Sequence, residues 1–138
     1  METKNLSGFE EIQHTADWAL RVWAPNLEEL LCASVAGMQK LMEVQFSGKK
    51  RLCKPVNLSA GDLESLLVGF LNEILFWIQT ESIACEHCEL SIKDTSLSGI
   101  VHCASIDGLT KEIKAVTYHN LRIIRSEQGY ETTIVFDV

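Results

Sequence analysis

Two short segments near the start of the chain, Phe9 to Ile12 and Trp18 to Ala24, read as strands. In the second, Trp18, Leu20 and Val22 fall on one side while Ala19, Arg21 and Trp23 fall on the other, the period of two expected of a strand. At Asn26 the period changes. Leu27, Leu30, Leu31, Ser34, Val35, Met38, Leu41 and Met42 form one stripe at helical spacing, which predicts a core-facing helix. Asn26 is a good N-cap, Glu29 follows at capping-box spacing, and Glu28 and Glu29 complement the positive end of the helix dipole.

Leu52 to Leu58 predicts a further strand, placed near a sheet edge by Pro55, which has no N–H to donate. A second helix is expected after Ser59, with Asp62 in the capping-box position. Leu63, Leu66, Leu67, Phe70, Leu71, Ile74, Trp77 and Ile78 line one side of it, and Val68, Leu75 and Phe76 add apolar surface off that stripe. Such a helix should be buried on more than one side, as a helical layer covered by sheet. Farther on, Cys88, Leu90 and Ile92 alternate with polar residues, and Ile100 to Ile106 could pair with them around Ser96-Leu97-Ser98-Gly99. Asp107-Gly108 signals a turn. Ile113 to Ile124 and Tyr130 to Val138 read as the last two strands, joined around Gln128-Gly129. The expected fold is α+β, with two main helices layered against antiparallel sheet in a single compact domain spanning residues 1–138.

A chain of 138 residues suits one domain, and at 46% hydrophobic it can bury an independent core. Twelve Lys and Arg against nineteen Asp and Glu give a net charge of −7. That balance argues against a broad nucleic-acid surface and suits a basic protein partner. The longest basic run, Lys49-Lys50-Arg51, reads as a solvated hairpin tip. The longest apolar region, Leu66 to Ile78, is broken by Gly69, Asn72 and Glu73 and falls short of the roughly 20 residues a membrane span requires. An odd number of cysteines (Cys32, Cys53, Cys85, Cys88 and Cys103), with no hydrophobic signal stretch at Met1–Gly8, predicts free thiols in the cytoplasm.

Cys85-Glu86-His87-Cys88 with His102-Cys103 holds enough donors for a Cys3His zinc site. Strand geometry argues against one. His102 and Cys103 are neighbours and would face opposite ways, while Cys103 shares parity with Val101, and Cys88 with Leu90 and Ile92. Thiols on apolar faces behave as small hydrophobes, so no zinc is expected there.

A second group has no such structural purpose. His14-Thr15-Ala16-Asp17 joins two strands, and Asp137 follows the apolar run Ile134-Val135-Phe136. A carboxylate buried there would cost several kcal/mol unless paired with Arg21, Lys114 or a metal ion. If Asp17 and Asp137 converge, the carboxylate of Val138 lies within reach, and such hard oxygen donors select Ca2+, Mg2+ or Mn2+. The catalytic alternative is an acid–base site of His14, His119, Asp17 and Asp137 with Thr15 or Thr117 as nucleophile. No nucleophile elbow, P-loop or HExxH segment supports it.

Four segments, in order, resemble the archease family. They are His14-Thr15-Ala16-Asp17 followed by Leu27-Glu28-Glu29-Leu30; Asp62 to Val68 with Leu71-Asn72-Glu73; Glu112 to His119; and Val135-Phe136-Asp137-Val138. The resemblance runs from about residue 9 to the last residue. It implies a layered α+β domain similar to a redox chaperone fold. It further implies a divalent cation, most often calcium, held by Asp17, Asp137 and Val138, with Lys114 functionally important nearby. His14 and His119, in the same motifs, are further candidates for activation or partner contact.

The role implied is to assist an RtcB-type RNA ligase, which joins RNA ends through a histidine–GMP intermediate with manganese in tRNA splicing. The accessory protein promotes guanylylation and repeated turnover without transferring phosphoryl groups itself. Two departures stand out: Gly69-Phe70 replaces an acidic residue followed by Trp in many relatives, and the stretch from Asp107 to Glu112 is shorter than in many members. The competing readings are a general chaperone-like folding module and a small metal-dependent hydrolase using His14 and His119.

Overall fold

The computed structural model describes residues 7–12 and 18–138. Strands β1 (Gly8–Ile12) and β2 (Trp18–Ala24) pair antiparallel, with Phe9 opposite Val22. Helix α1 (Leu27–Met42) opens on a reciprocal cap. Asn26 Oδ1 accepts from the Glu29 N–H at 2.8 Å, and Asn26 Nδ2 donates to the Glu29 carboxylate at 3.0 Å. There follow β3 (Gln45–Ser59), α2 (Leu63–Glu81), β4 (Ile83–Lys93), β5 (Ser96–Gly108), β6 (Ala115–Val116), β7 (Ile124–Ser126) and β8 (Gly129–Asp137).

The strands form two antiparallel sheets. One has the order β1-β2-β8-β6, with β7 also pairing β8; the other has the order β3-β5-β4. Both helices touch both sheets: α1 packs on β1, β2 and β8 and also on β4, while α2 meets β3, β4 and β6. This explains why α2 is apolar around so much of its circumference, with Leu66, Leu67, Phe70, Leu71 and Ile74 all essentially inaccessible. The α1–sheet contact is close at Gly37, where a Cβ would run into the Leu20 side chain and the Phe9 ring. Among the described residues no helix is long and apolar enough to cross a membrane.

The α+β architecture and the double-sided burial of α2 agree with the pattern in the sequence, and several boundaries move. Pro55 does lie on an edge strand, but β3 begins at Gln45 rather than Leu52. Lys49-Lys50-Arg51 is therefore part of an irregular stretch of β3 and not a hairpin tip. Gly48 takes the left-handed φ of 74°, and the Lys50 N–H finds the Ser105 hydroxyl at 3.1 Å, so the strand continues through the irregularity. Asp62 is itself the N-cap of α2. The β4–β5 turn sits at Asp94-Thr95, with Asp94 at φ 57°, and so Leu97 falls inside the sheet as a core residue.

Ile113 to Ile124 is not one strand. Only Ala115–Val116 pairs with β8 before the chain turns at Tyr118–Leu121. Polar side chains of α2 take over backbone groups that a ladder would have satisfied. Gln79 donates to the Ile113 carbonyl at 3.2 Å, Asn72 accepts from the Val116 N–H at 3.2 Å, and Glu64 accepts from the Ile123 N–H at 2.9 Å.

Candidate functional site

Asp137 ends β8 at the rim of the larger sheet. Ile134, Val135 and Phe136 before it are buried, yet Asp137 and Val138 are exposed. The desolvation cost expected from the apolar run is therefore absent, because the strand carries its last residues past the core into solvent. Lys114 meets Asp137 through the backbone: its N–H donates to the Asp137 carbonyl at 2.7 Å, and the next residue, Ala115, is the ladder partner of Asp137, while among the described residues no ion pair joins their side chains. Arg21, the other cation considered, is engaged elsewhere. Its guanidinium bonds Glu131 at 2.8 Å and Glu10 at 3.0 Å, and these carboxylates, Glu131 foremost, hold its pKa up.

Asp17, His14 and Thr15 lie outside the described residues. Trp18, covalently attached to Asp17, is the ladder partner of Phe136, which is attached to Asp137. His119 belongs to the turn after β6, where its N–H bonds the Thr117 hydroxyl at 3.2 Å and its ring meets Asn120. Among the described residues no hydrogen bond joins His119 to Asp137 or Lys114. Thr117 donates its hydroxyl to the Val135 carbonyl at 3.0 Å, so that proton is not held by a histidine or carboxylate base.

The cysteines divide between the two faces of the smaller sheet and α1. Cys85 and Cys103 are ladder partners and both are buried, while Cys53 is exposed. Burial pushes the Cys103 thiol up to about 11. At Cys88 the Cys32 thiol pulls down, but the neighbouring Cys85 and burial outweigh it and leave the thiol at about 12. The bond to Cys88 and burial also push Cys32 up, and its thiol donates to the Cys88 carbonyl at 3.6 Å. His102 stands on the opposite face from Cys103, where it meets Cys53, so the Cys3His set does not converge.

Residues 9–138 match the model of the Archease protein family. The chain belongs to the archease family. It is similar to the protein archease of Methanosarcina mazei, at 32% identity over 94% of this chain and 95% of that one. The protein archease of Archaeoglobus fulgidus is 30% identical over 92% and 96%. Among solved structures, protein 1598 of Methanobacterium thermoautotrophicum shares the fold with a TM-score of 0.72 at 24% identity, covering 95% of this chain and 99% of that one. A Thermotoga maritima archease, described as a possible chaperone, does so with a TM-score of 0.69 at 24% identity, covering 94% and 96%.

Two features of this archease-family chain were missed in the sequence. Gln39 lies on the buried face of α1 and bonds both backbone groups of Cys85. His87 joins His102 on the outer face of the smaller sheet. One signal could have found the turn of His87. Cys85 matches the parity of Ile83, and Cys88 that of Leu90, so two inward thiols require one extra residue between them.

Proposed function

We propose that this chain is a non-enzymatic, cation-binding accessory protein that activates an RtcB-type RNA ligase, promoting its guanylylation and repeated turnover in the cytoplasm. The observation that carries the reading is the Lys114–Asp137 backbone bond at an exposed strand end, within a chain that belongs to the archease family. The donors available there suit a hard cation. Asp137 offers an exposed carboxylate, and Asp17 is one residue from the ladder partner of Phe136. Val138 adds a carboxylate where the chain stops at that residue.

These oxygens would hold Ca2+, with Mg2+ or Mn2+ as alternatives. A cation held by so few protein ligands keeps coordination positions that a partner's oxygen donors could fill. Lys114 fixes the end of β8 through its backbone, and its exposed side chain is available to the partner. The net charge of −7 suits a basic protein partner better than an RNA surface.

The test is RNA ligation by the cognate ligase with and without trace amounts of this protein. More turnovers per ligase are expected, with no joining by this protein alone. Joining without ligase would show that the non-enzymatic reading is wrong. No stimulation, together with suppressed aggregation of unrelated unfolded proteins, would favour the chaperone reading.

A further inference from the structure

We propose that His87, Glu89 and His102 form a second metal site, on the outer face of the β3-β5-β4 sheet, that takes a borderline divalent transition ion such as Zn2+. It is independent of the hard-oxygen rim at Asp137. It also differs from the cysteine set considered in the sequence, because Cys85, Cys88 and Cys103 supply none of its ligands.

The backbone assembles this group. His102 lies on the central strand β5 and has Cys53 of β3 and His87 of β4 as its two ladder partners. An unbroken β4 would turn His87 inward, to the same side as buried Cys85. The register instead shifts between Cys85 and His87, so Glu86 is an extra residue and both Glu86 and His87 face solvent before Cys88 returns inward. Gln39 holds the bulge from beneath: its side chain, 8% exposed, bonds the Cys85 N–H and carbonyl at 2.8 Å each. A bulge fixed in this way re-aims one side chain, and here that side chain is a second imidazole beside the first.

The donor atoms are close to ligand spacing. His102 Nε2 lies 2.7 Å from a Glu89 oxygen, His87 Nε2 lies 3.9 Å from the same oxygen, and the three ligand atoms are all within 4.8 Å of one another. Tetrahedral zinc, with bonds of about 2.0–2.2 Å, sets its donors roughly 3.3–3.6 Å apart. The His102–Glu89 contact must open slightly, and His87 must rotate off its stack on His102, where the ring centroids are 4.1 Å apart. His87 and Glu89 are 65% and 70% exposed and free to adjust, whereas His102 at 30% is the anchored ligand.

Cys53 Sγ lies 3.4 Å from His102 Nδ1 and orients that ring from behind. When Nε2 carries the ring proton toward Glu89, Nδ1 is left to accept from the Cys53 thiol. With metal on Nε2, that proton passes to solvent and one is taken up at Nδ1, which then donates to the sulfur, so the ring stays neutral. Two imidazoles and one carboxylate favour Zn2+ and its neighbours over Ca2+. Three protein ligands leave the fourth position to water or to a donor from a partner.

The experiment is calorimetric titration of the full chain with ZnCl2 in excess Ca2+, using wild type, His87→Ala, His102→Ala and Asp137→Ala. One Zn2+ per chain is expected, weakened at least about 100-fold by either histidine change and untouched by Asp137→Ala. Thermal melts in EDTA check that the histidine variants still fold. Paramagnetic Co2+ should shift the NMR ring signals of His87 and His102 and leave those of His119 in place. Absence of Zn2+ binding, or binding that survives both histidine changes in folded protein, overturns the proposal. Because no ligase enters these measurements, failure here and failure of ligase activation are read separately.

Discussion

Gln39 of α1 and Cys85 of β4 are joined by two hydrogen bonds, carboxamide nitrogen to carbonyl and backbone N–H to carboxamide oxygen, each at 2.8 Å. A side-chain amide thus stands in for a neighbouring strand at the point where β4 bulges. Replacing it with Leu, which fits an apolar setting but offers no polar atoms, leaves two buried backbone groups unsatisfied. The expected cost is about 2–4 kcal/mol in urea unfolding, since each such group costs roughly 1–3 kcal/mol. Glu at the same position should not recover that loss at neutral pH, because its buried carboxylate would face the Cys85 carbonyl in place of the amide donor. A loss below about 0.5 kcal/mol for Gln39→Leu would mean that the bulge holds itself.

At the rim, exposure and not burial governs the expected result. Because Asp137 lies in solvent, Asp137→Ala should change stability by no more than about 0.5 kcal/mol, the range for surface substitutions. Calcium affinity and ligase stimulation should nevertheless fall sharply, and Asp17→Ala should do the same. A short neutral tail added after Val138 tests that carboxylate separately and should weaken calcium binding in calorimetry at fixed pH and salt. Unchanged affinity in all three variants would put the cation elsewhere.

What the sequence revealed follows from which forces are periodic. The helical stripes from Leu27 to Met42 and from Leu63 to Ile78 declared both helices, because tertiary burial and local period agree there. The segment from Ile113 to Ile124 misled because only Ala115–Val116 and Ile124 join β8, while Ile113, Val116 and Ile123 bond Gln79, Asn72 and Glu64 some 34 to 59 residues earlier. No local pattern encodes such bonds. Asp137 was found by being an acid after an apolar run, but its exposure depends on where the sheet ends. The inward parities read for Cys88 and Cys103 hold, but the outward turn of His87 depends on the extra residue Glu86, which strict alternation does not show.

Gly69 gives the opposite kind of test, a change that should help. It lies exposed in the interior of α2, and a Cβ there would meet nothing within 4 Å. Ala should therefore gain about 0.5–1 kcal/mol by restricting the unfolded chain and favouring the helix. Denaturant midpoints with an unchanged slope would register the gain. If Gly69→Ala stabilises the fold but reduces ligase stimulation, that helix face, which also carries Asp62 and Glu73, belongs to the partner surface.

Asp62 links a helix end to pH. Its Oδ1 accepts the Ser65 N–H at 2.7 Å, and that backbone bond, followed by the Ser65 side chain, holds its pKa below the ordinary 3.8. The folded state thus prefers the carboxylate. The stability this contributes is present above the unfolded pKa and is lost as pH falls through the lower folded value. Asp62→Ala should depress Tm by roughly 2–5 °C at neutral pH, as expected for a lost N-cap in a domain of this size. Asp62→Asn should keep most of the wild-type value, because an amide oxygen can accept the same bond without a charge. The gap between wild type and Ala should then shrink below about pH 4, where the carboxylate begins to protonate, while the gap between Asn and Ala stays constant. A wild-type advantage over Ala that holds unchanged down to pH 2 would show that the cap acts through its shape alone and not through the charge on Asp62.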